Sequence, residues 1–169
     1  MLELKKELEK IQDSFSRISE IIYQTPVLSS ISINKALNAD ITFKAECLQE
    51  TGSFKLRGAS SAISRLSEEE KSRGVVAFSS GNHAQGVAYA SRELGTTAKI
   101  VMPSDAPKVK ILKTQEYGAE VIFYDRDKDN REEIGSNIAL EEGRKLIKPF
   151  DDLNVIYGQG TATLEVMDE

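Results

Sequence analysis

Short apolar runs alternate with longer segments of helical pattern between residues 74 and 150. The pattern predicts strands at 75–78, 98–102 and 120–124 and helices at 82–94, 108–117 and 131–145. Because successive parallel strands need a crossover helix between them, this alternation favours βαβ units over hairpins. We therefore expect an α/β fold in three layers, with a parallel sheet between flanking helices. A ligand should lie beyond the carboxyl ends of the strands.

The segments on either side of this alternation contain further predicted elements. Apolar residues recur at intervals of four and three over residues 4–22, which predicts an amphipathic helix that ends before Thr25. A strand at 41–45 precedes a helix at about 55–66, for which Ser53 is the predicted N-cap. Ser67 is expected to cap a second, short helix. A fourth strand is predicted at 154–157, followed by a glycine-containing run at 158–161 and the start of a helix.

The net charge and the scarcity of certain residue types exclude several functions. A net charge of −5, with basic residues interspersed among acids, argues against nucleic acid as a partner. With one cysteine, Cys47, and one histidine, His83, the chain can form neither an internal disulfide nor a multi-histidine metal centre. No apolar run approaches the ~20 residues that cross a bilayer, and the charged N-terminus lacks a secretory apolar region. We therefore expect a cytoplasmic protein without a metal or a membrane partner.

Lys55 is the first candidate for chemistry. A lysine in the first turn of a helix opposes the helix dipole, so solvation alone does not favour that position. The same positive field, with some burial, should lower the pKa of the ammonium group and favour the free amine that attacks an aldehyde. The alternative is an ordinary solvated lysine on the surface.

The second candidate is the run Ser79-Ser80-Gly81-Asn82-His83, which follows the predicted strand at 75–78. Small residues allow the backbone N–H groups of a helix N-terminus to approach an anion closely, and a substrate carboxylate would suit such a loop. The alternative is an ordinary strand-to-helix turn with a serine or asparagine cap. His83 would then be a packed or capping histidine.

Four stretches of the chain resemble a known enzyme family. They are residues 44–59 (KAECLQETGSFKLRGA), 79–86 (SSGNHAQG), 102–103 (MP) and 158–161 (GQGT). In this order they are similar to threonine/serine dehydratases and serine racemases, which are pyridoxal phosphate (PLP) enzymes of fold type II, the tryptophan synthase β-like group. The resemblance implies that residues 1–73 form the N-terminal part of a large PLP domain. It also implies that residues 74–150 form a small α/β domain, and that residues 151–169 return to the large domain.

The resemblance also implies roles for individual residues. Lys55 would form the Schiff base with PLP and act as the base on the substrate Cα, and Phe54 would pack beside the cofactor ring. Asn82 would hydrogen-bond the phenolic oxygen of PLP, and the run 79–83 would hold the substrate carboxylate. With PLP as electron sink, loss of the Cα proton and then of a β-hydroxyl would convert serine, threonine or 3-hydroxyaspartate into a keto acid and ammonia.

Two residues keep alternatives open within the family. Ser80 provides a hydroxyl where the family's racemases have one, on the ring face opposite the lysine. Racemisation needs a second acid/base group there, so Ser80 keeps that activity open, although it could simply hydrogen-bond locally. Arg131 lies in a segment that resembles the hydroxyaspartate dehydratases and could pair bidentately with a second substrate carboxylate. The alternative for Arg131 is a solvated arginine at a helix end.

Length separates this chain from the family. Members are expected to be roughly twice as long, with the glycine-rich loop for the PLP phosphate, the group facing the pyridine nitrogen and the acidic cation ligands in the later part. We therefore expect β-elimination by this chain alone to be weak or absent. A racemase, or an inactive module that binds a small molecule or a partner subunit, stays open as an alternative. The expected partners are an amino acid substrate and a second copy of the chain in a homodimer.

Overall fold

The computed structural model describes residues 2–167, within which eight α-helices and six strands are formed. In chain order they are α1 (Leu2–Ile18), β1 (Val27–Ser29), α2 (Ile31–Leu37), β2 (Thr42–Lys44), α3 (Lys55–Ile63), α4 (Glu68–Arg73), β3 (Val75–Phe78), α5 (Asn82–Glu93), β4 (Ala98–Pro103), α6 (Lys108–Glu116), β5 (Glu120–Tyr124), α7 (Arg131–Glu142), β6 (Lys145–Leu146) and α8 (Leu153–Met167). A short 3-10 helix covers Glu46–Leu48. Among these helices, none has both the length and the apolar character that crossing a bilayer requires.

The main sheet is parallel and has the strand order β5-β4-β3-β6. Strands β3, β4 and β5 are the three that the apolar runs predict, and β4 extends one residue further, to Pro103. The intervening helices α5 and α6 supply the crossovers that parallel pairing requires. The prediction of a parallel α/β sheet is therefore confirmed. A separate antiparallel pair joins β1 to β2.

Helices cover both faces of this sheet. Alternate residues of a strand point to opposite faces, so Val76 and Phe78 of β3 pack with the helix α7. Val75 and Ala77 face the other way, into a larger core that includes apolar residues of α5. The predicted three-layer arrangement is therefore confirmed. The larger core also contains residues of α1, α3 and α8, such as Ile18, Leu56 and Val155.

Helix α8 replaces the strand that was predicted at 154–157, so that prediction is wrong. The N-terminal amides of Asn154 and Val155 donate to Asp152 Oδ1 at 2.9 and 3.4 Å, which begins a helix. The glycines of the 158–161 run lie inside this helix and allow it to approach α3. A Cβ on Gly158 would lie 2.6 Å from the carbonyl oxygen of Arg57 and 2.7 Å from Gly58 Cα. The apolar run is therefore helical because it packs against α1 and α3, and not because of its local pattern.

The predicted bounds of other helices need smaller corrections. Helix α7 ends at Glu142, not at 145, because Gly143 adopts a left-handed conformation with φ 65°. The next residues then pair with β3 as the two-residue strand β6. The N-cap of α3 is Phe54, although Ser53 Oγ accepts a hydrogen bond from the Lys55 amide at 3.4 Å. The predicted Ser67 cap is confirmed, with Glu70 completing a capping box.

A buried ionic network joins α8 to α3. The Arg57 guanidinium is fully buried and donates in pairs to the carboxylates of Glu46 and Glu165, at 2.7–2.8 Å. Lys44 also pairs with Glu165, at 2.8 Å. Burial alone would raise the pKa of Glu46, but hydrogen bonds from Arg57 and Thr25 outweigh it and hold that pKa below its ordinary value. The network therefore stays ionised and connects segments that are more than a hundred residues apart in the chain.

Replacing Arg57 with methionine should lower the free energy of unfolding by about 3–5 kcal/mol, because two buried carboxylates would lose the guanidinium and share the cation Lys44. Urea unfolding followed by circular dichroism measures this change. The matched control is Arg17→Met, which removes an exposed pair with Asp13 and should cost at most about 1 kcal/mol. Equal losses in the two variants would contradict the importance of the buried network.

Candidate active site

Lys55 is the first residue of α3, and its side chain is half-buried. Its Nζ donates a hydrogen bond to the carbonyl oxygen of Pro149 at 3.0 Å and lies 5.2 Å from the centroid of the Phe54 ring. The backbone of Lys55 contacts α5, since a Cβ on Gly86 would lie 3.1 Å from the Lys55 carbonyl group. Within residues 2–167 the amine thus contacts neutral groups and pairs with no carboxylate. This environment differs from that of the fully solvated lysine of the alternative.

The loop from Ser79 to Asn82 leaves the carboxyl end of β3 and begins α5. The Ser79 amide donates to the Val101 carbonyl at 3.1 Å, and the Gly81 amide donates to Ser79 Oγ at 3.2 Å. Gly81 is the N-cap and provides no side-chain cap, so the first amides of α5 keep the free N–H groups that a helix N-terminus presents. Open space adjoins Gly81, because apart from its chain neighbours no described residue has an atom within 4 Å of a Cβ built there. The geometry therefore suits an anion better than a capped turn would.

His83 is buried, and its ring lies against the segment that follows β6. Its Nε2 hydrogen-bonds the carbonyl oxygen of Ile147 at 3.1 Å, so Nε2 carries the proton. Burial lowers the pKa of His83 to about 4; the Ile147 carbonyl opposes that shift and the nearby Lys55 ammonium adds to it. The neutral ring then holds a bare Nδ1, which is buried and has no partner among the described residues. Only the backbone amide of His83 can therefore donate to a substrate carboxylate.

The carboxamide of Asn82 is held by a residue that the sequence did not single out. Lys110, in the first turn of α6, donates to Asn82 Oδ1 at 2.8 Å and to Gln85 Oε1 at 3.4 Å. The one signal for Lys110 in the sequence was its position, because a cation in a first helical turn opposes the helix dipole. Lys108 has the same position in α6, so this signal alone does not single out Lys110.

Arg131 and Ser80 lie at the same edge of the sheet. Arg131 is exposed at the start of α7, and its guanidinium carbon lies 5.6 Å from the ring centroid of Phe78, the residue before Ser79. A groove of about 340 Å³ opens beside it and is also lined by Arg126. Ser80 is half-buried between Ser79 and Gly81. Arg131 and Ser80, for which these roles are predicted, therefore both lie near the loop.

The structure thus arranges the predicted residues in two groups. Lys55 and His83 both hydrogen-bond the segment 147–149, with Phe54 beside the lysine. Ser79, Ser80, Gly81, Asn82 and Arg131 lie around the carboxyl end of β3. The segment 147–149 was missed by sequence reasoning because it contributes backbone carbonyl groups, which no side-chain pattern reveals.

The burial of His83 predicts how stability depends on pH. The native state has a His83 pKa of about 4, whereas an unfolded histidine titrates near 6.5. Between these values only the unfolded state takes up the proton, so the free energy of unfolding should fall as the pH drops, by about 1.4 kcal/mol per unit and about 3 kcal/mol in all. Above pH 6.5 this contribution is fully present.

Urea unfolding at several pH values between 7.5 and 5 measures the slope. His83 is the chain's one histidine, so His83→Gln should remove most of the slope above pH 5 while its amide can still donate to the Ile147 carbonyl. An unchanged slope in that variant would show that another group causes the pH dependence.

Residues 18–169 match a family model described as "Pyridoxal-phosphate dependent enzyme". Among curated proteins, the chain is 48% identical to an L-threo-3-hydroxyaspartate ammonia-lyase of Saccharomyces cerevisiae, over 94% of this chain and 49% of that protein. It is 45% identical to a serine racemase of Schizosaccharomyces pombe, over 95% of this chain and 50% of that protein. The chain therefore spans about half the length of these curated relatives.

A solved structure shows the same similarity in three dimensions. The crystal structure of serine racemase from Dictyostelium discoideum aligns with a TM-score of 0.90 at 45% identity, over 95% of this chain and 52% of that one. The α/β architecture is thus that of a PLP enzyme over nearly the whole chain. Together with the family match over residues 18–169, this similarity shows that the chain belongs to the family of pyridoxal-phosphate dependent enzymes.

Proposed function

We propose that this chain binds PLP at Lys55 and serves β-elimination of a hydroxy amino acid, which yields a keto acid and ammonia. The observation that carries the proposal is the half-buried Lys55 amine. Among the described residues it contacts neutral groups, and its backbone lies against α5, whose N-terminus adjoins the 79–83 loop. The two relatives compared above include an ammonia-lyase and a racemase. Since the chain spans about half of each, the activity and the substrate are both part of the proposal.

The residues present fit the aldehyde end and the ring of the cofactor. The Lys55 amine suits an aldehyde carbon, and the Phe54 ring, 43% exposed, offers an apolar surface beside that amine. Asn82 Nδ2 is available to donate to the phenolic oxygen of PLP, because the Oδ1 atom is the one that contacts Lys110. The open space in front of Gly81 leaves room for a ligand at the loop.

PLP supplies an electron sink for negative charge at the substrate Cα when it is bound. The chain's own residues would then bind the substrate and move a proton. The free N–H groups at the start of α5 would hold the substrate α-carboxylate, and Ser79 would add its hydroxyl. Lys55 Nζ would accept the Cα proton. The β-hydroxyl would leave as water with the proton that Lys55 accepted. A second water molecule would then hydrolyse the dehydrated amino acid to the keto acid and ammonia.

Serine, threonine and 3-hydroxyaspartate are the proposed substrates. Arg131 is a candidate for binding 3-hydroxyaspartate. Its guanidinium lies near the carboxyl end of β3 and has no carboxylate partner within the part of the chain described here. A planar guanidinium pairs bidentately with a carboxylate, so Arg131 would suit the second carboxylate of 3-hydroxyaspartate. This supports 3-hydroxyaspartate as the preferred substrate.

Racemisation of an amino acid is the second candidate, and Ser80 is the observation that favours it. Its hydroxyl lies in the loop that would hold the substrate, where a second acid/base group is needed. Serine recovered with inverted chirality, and with little keto acid, would favour this activity over elimination. A module that binds the amino acid or a partner subunit without turnover is the third candidate, because the chain spans only half of its relatives.

The proposed setting of this activity is a cytoplasmic homodimer. We also propose the domain division 1–73, 74–150 and 151–169. In its support, α1, α3 and α8 pack together although α8 is distant in sequence, whereas the parallel sheet is formed entirely from residues 75–146. Several apolar side chains outside that sheet are exposed, among them Leu4, Phe43, Ile156 and Met167. Such surfaces suit contact with further polypeptide.

Borohydride reduction of the purified chain in the presence of PLP should attach a pyridoxyl group to Lys55. Peptide mass mapping locates the adduct. Lys55→Ala should abolish it, because the variant lacks the amine. The matched control is Lys148→Ala, which removes an exposed lysine next to Pro149 and should leave the Lys55 adduct in place. Labelling scattered over surface lysines, or none, would refute PLP binding at Lys55 by this chain.

Arg131→Gln should weaken binding of 3-hydroxyaspartate by the PLP-loaded chain by roughly 10- to 100-fold and leave serine binding unchanged, because one charge-assisted pair is lost. Calorimetric titration with each amino acid measures the two affinities. Arg126→Gln is the matched control: it lines the same groove but pairs with Asp105 at 2.7 Å. Equal effects on both amino acids would contradict a specific contact with the second carboxylate.

A further inference from the structure

Lys110 connects the N-terminal turns of two neighbouring helices. It belongs to the first turn of α6, and its Nζ reaches Asn82 Oδ1 at 2.8 Å and Gln85 Oε1 at 3.4 Å, both on the first turns of α5. The Gln85 side chain is buried, and its Nε2 has no partner in the described part of the protein. The contact therefore joins a partly buried ammonium to two amide oxygens at the edge of the proposed site.

The Lys110 ammonium determines which atom of the Asn82 and Gln85 carboxamides faces it. An ammonium group has three donors and no acceptor, so any amide that faces it must present its oxygen. With Oδ1 held by Lys110, the Asn82 carboxamide keeps its two Nδ2 hydrogens for another acceptor. No hydrogen bond within residues 2–167 uses Asn82 Nδ2. Without Lys110, either the oxygen or the nitrogen could face that acceptor.

The position of Lys110 is electrostatically unfavourable. A positive charge in the first turn of α6, beside the first turn of α5, is opposed by both helix dipoles. Neither helix has an acidic residue in its first turn. No ion pair joins Lys110 to a carboxylate in the described residues; its contacts there are neutral oxygens. An electron-rich ligand atom near Asn82 would offset this unfavourable arrangement.

We propose that Lys110 is a positioning residue, which orients the Asn82 carboxamide so that Nδ2 donates to the phenolic oxygen of PLP. The inference rests on the proposed function for the identity of that acceptor. The orientation of Asn82 itself is a property of the protein without ligand. The two parts can therefore be tested separately.

The orientation is tested first by the side-chain amide resonances of ¹⁵N-labelled protein without PLP. The Asn82 signal is assigned by its loss in Asn82→Ala. Lys110→Met keeps the aliphatic stem but removes the donors, and it should shift or broaden the Asn82 signal. Lys113→Met, an exposed lysine on the same helix, should leave the signal unchanged. An Asn82 signal that is the same with and without the Lys110 ammonium overturns the proposal, whatever happens with PLP.

The effect on the cofactor is tested by a double-mutant cycle on PLP affinity. Lys110→Met should weaken PLP binding by about three- to tenfold, as expected for one misdirected hydrogen bond. In the Asn82→Ala background the same change should have almost no effect, because Lys110 acts through Asn82. Lys110→Arg, which keeps donors, should restore much of the affinity. Additive effects of the two substitutions overturn the positioning role, since they would show that Lys110 acts independently.

Failure of the proposed function gives a different result. If the unsubstituted chain forms no pyridoxyl adduct on Lys55, PLP binding by this chain is refuted. The amide spectra then decide the inference alone: a changed Asn82 signal in Lys110→Met supports the orienting role, and an unchanged signal overturns it.

Discussion

Helix α3 is the constraint on which the candidate site depends, because it is buried along its length and begins at Lys55. Every residue from Leu56 to Ile63 is buried, and the helix packs against both α5 and α8. Glycines allow these helices to come close: Gly86 of α5 adjoins the Lys55 backbone, and Gly158 of α8 adjoins Gly58. Since α3 is fixed on two sides, core packing sets the position of the lysine amine. A site built on a rigid element holds its geometry better than one on a loop.

The ionic network around Arg57 determines how α8 docks on this helix. Desolvating a guanidinium and two carboxylates costs several kcal/mol for each ion, so the network is favourable only when every partner is in place. Glu46 precedes α3 and Glu165 lies near the end of α8, and a shift of either helix would leave a buried charge unpaired. Any other register of α8 would separate Glu165 from Arg57, so the network disfavours such a shift. It thereby also fixes the Gly158 contact that keeps α3 in place.

The sequence predicted what local patterns determine and missed what tertiary contacts determine. Strands β3, β4 and β5 were predictable because their apolar runs are bounded by turn residues. Helix α8 was not predictable, because the short apolar run around Val155 has the local pattern of a strand. Its helical structure depends on contacts with Arg57 and α3, which are distant in the sequence. Lys55 and the 79–83 loop were found from motif and position. Lys110 was not, since its role depends on a contact between two helices that no spacing in the chain reveals.

Three helices whose N-termini lie near the 79–83 loop have an unfavourable electrostatic arrangement. Helices α3, α5 and α6 have no acidic residue in the first turn, and two of them have cations there: Lys55 and Arg57 in α3, and Lys108 and Lys110 in α6. Helix α7, which follows β5, differs in having Glu132 and Glu133 in its first turn. Helix α4, which leads into the amino end of β3, has three glutamates in its first turn and a capping box. Each unfavourable cation costs about 0.3–1 kcal/mol in its helix, and an anionic ligand at this edge would offset those costs. Ligand binding should therefore also raise the free energy of unfolding. The increase should grow with the logarithm of the ligand concentration once that concentration exceeds the dissociation constant.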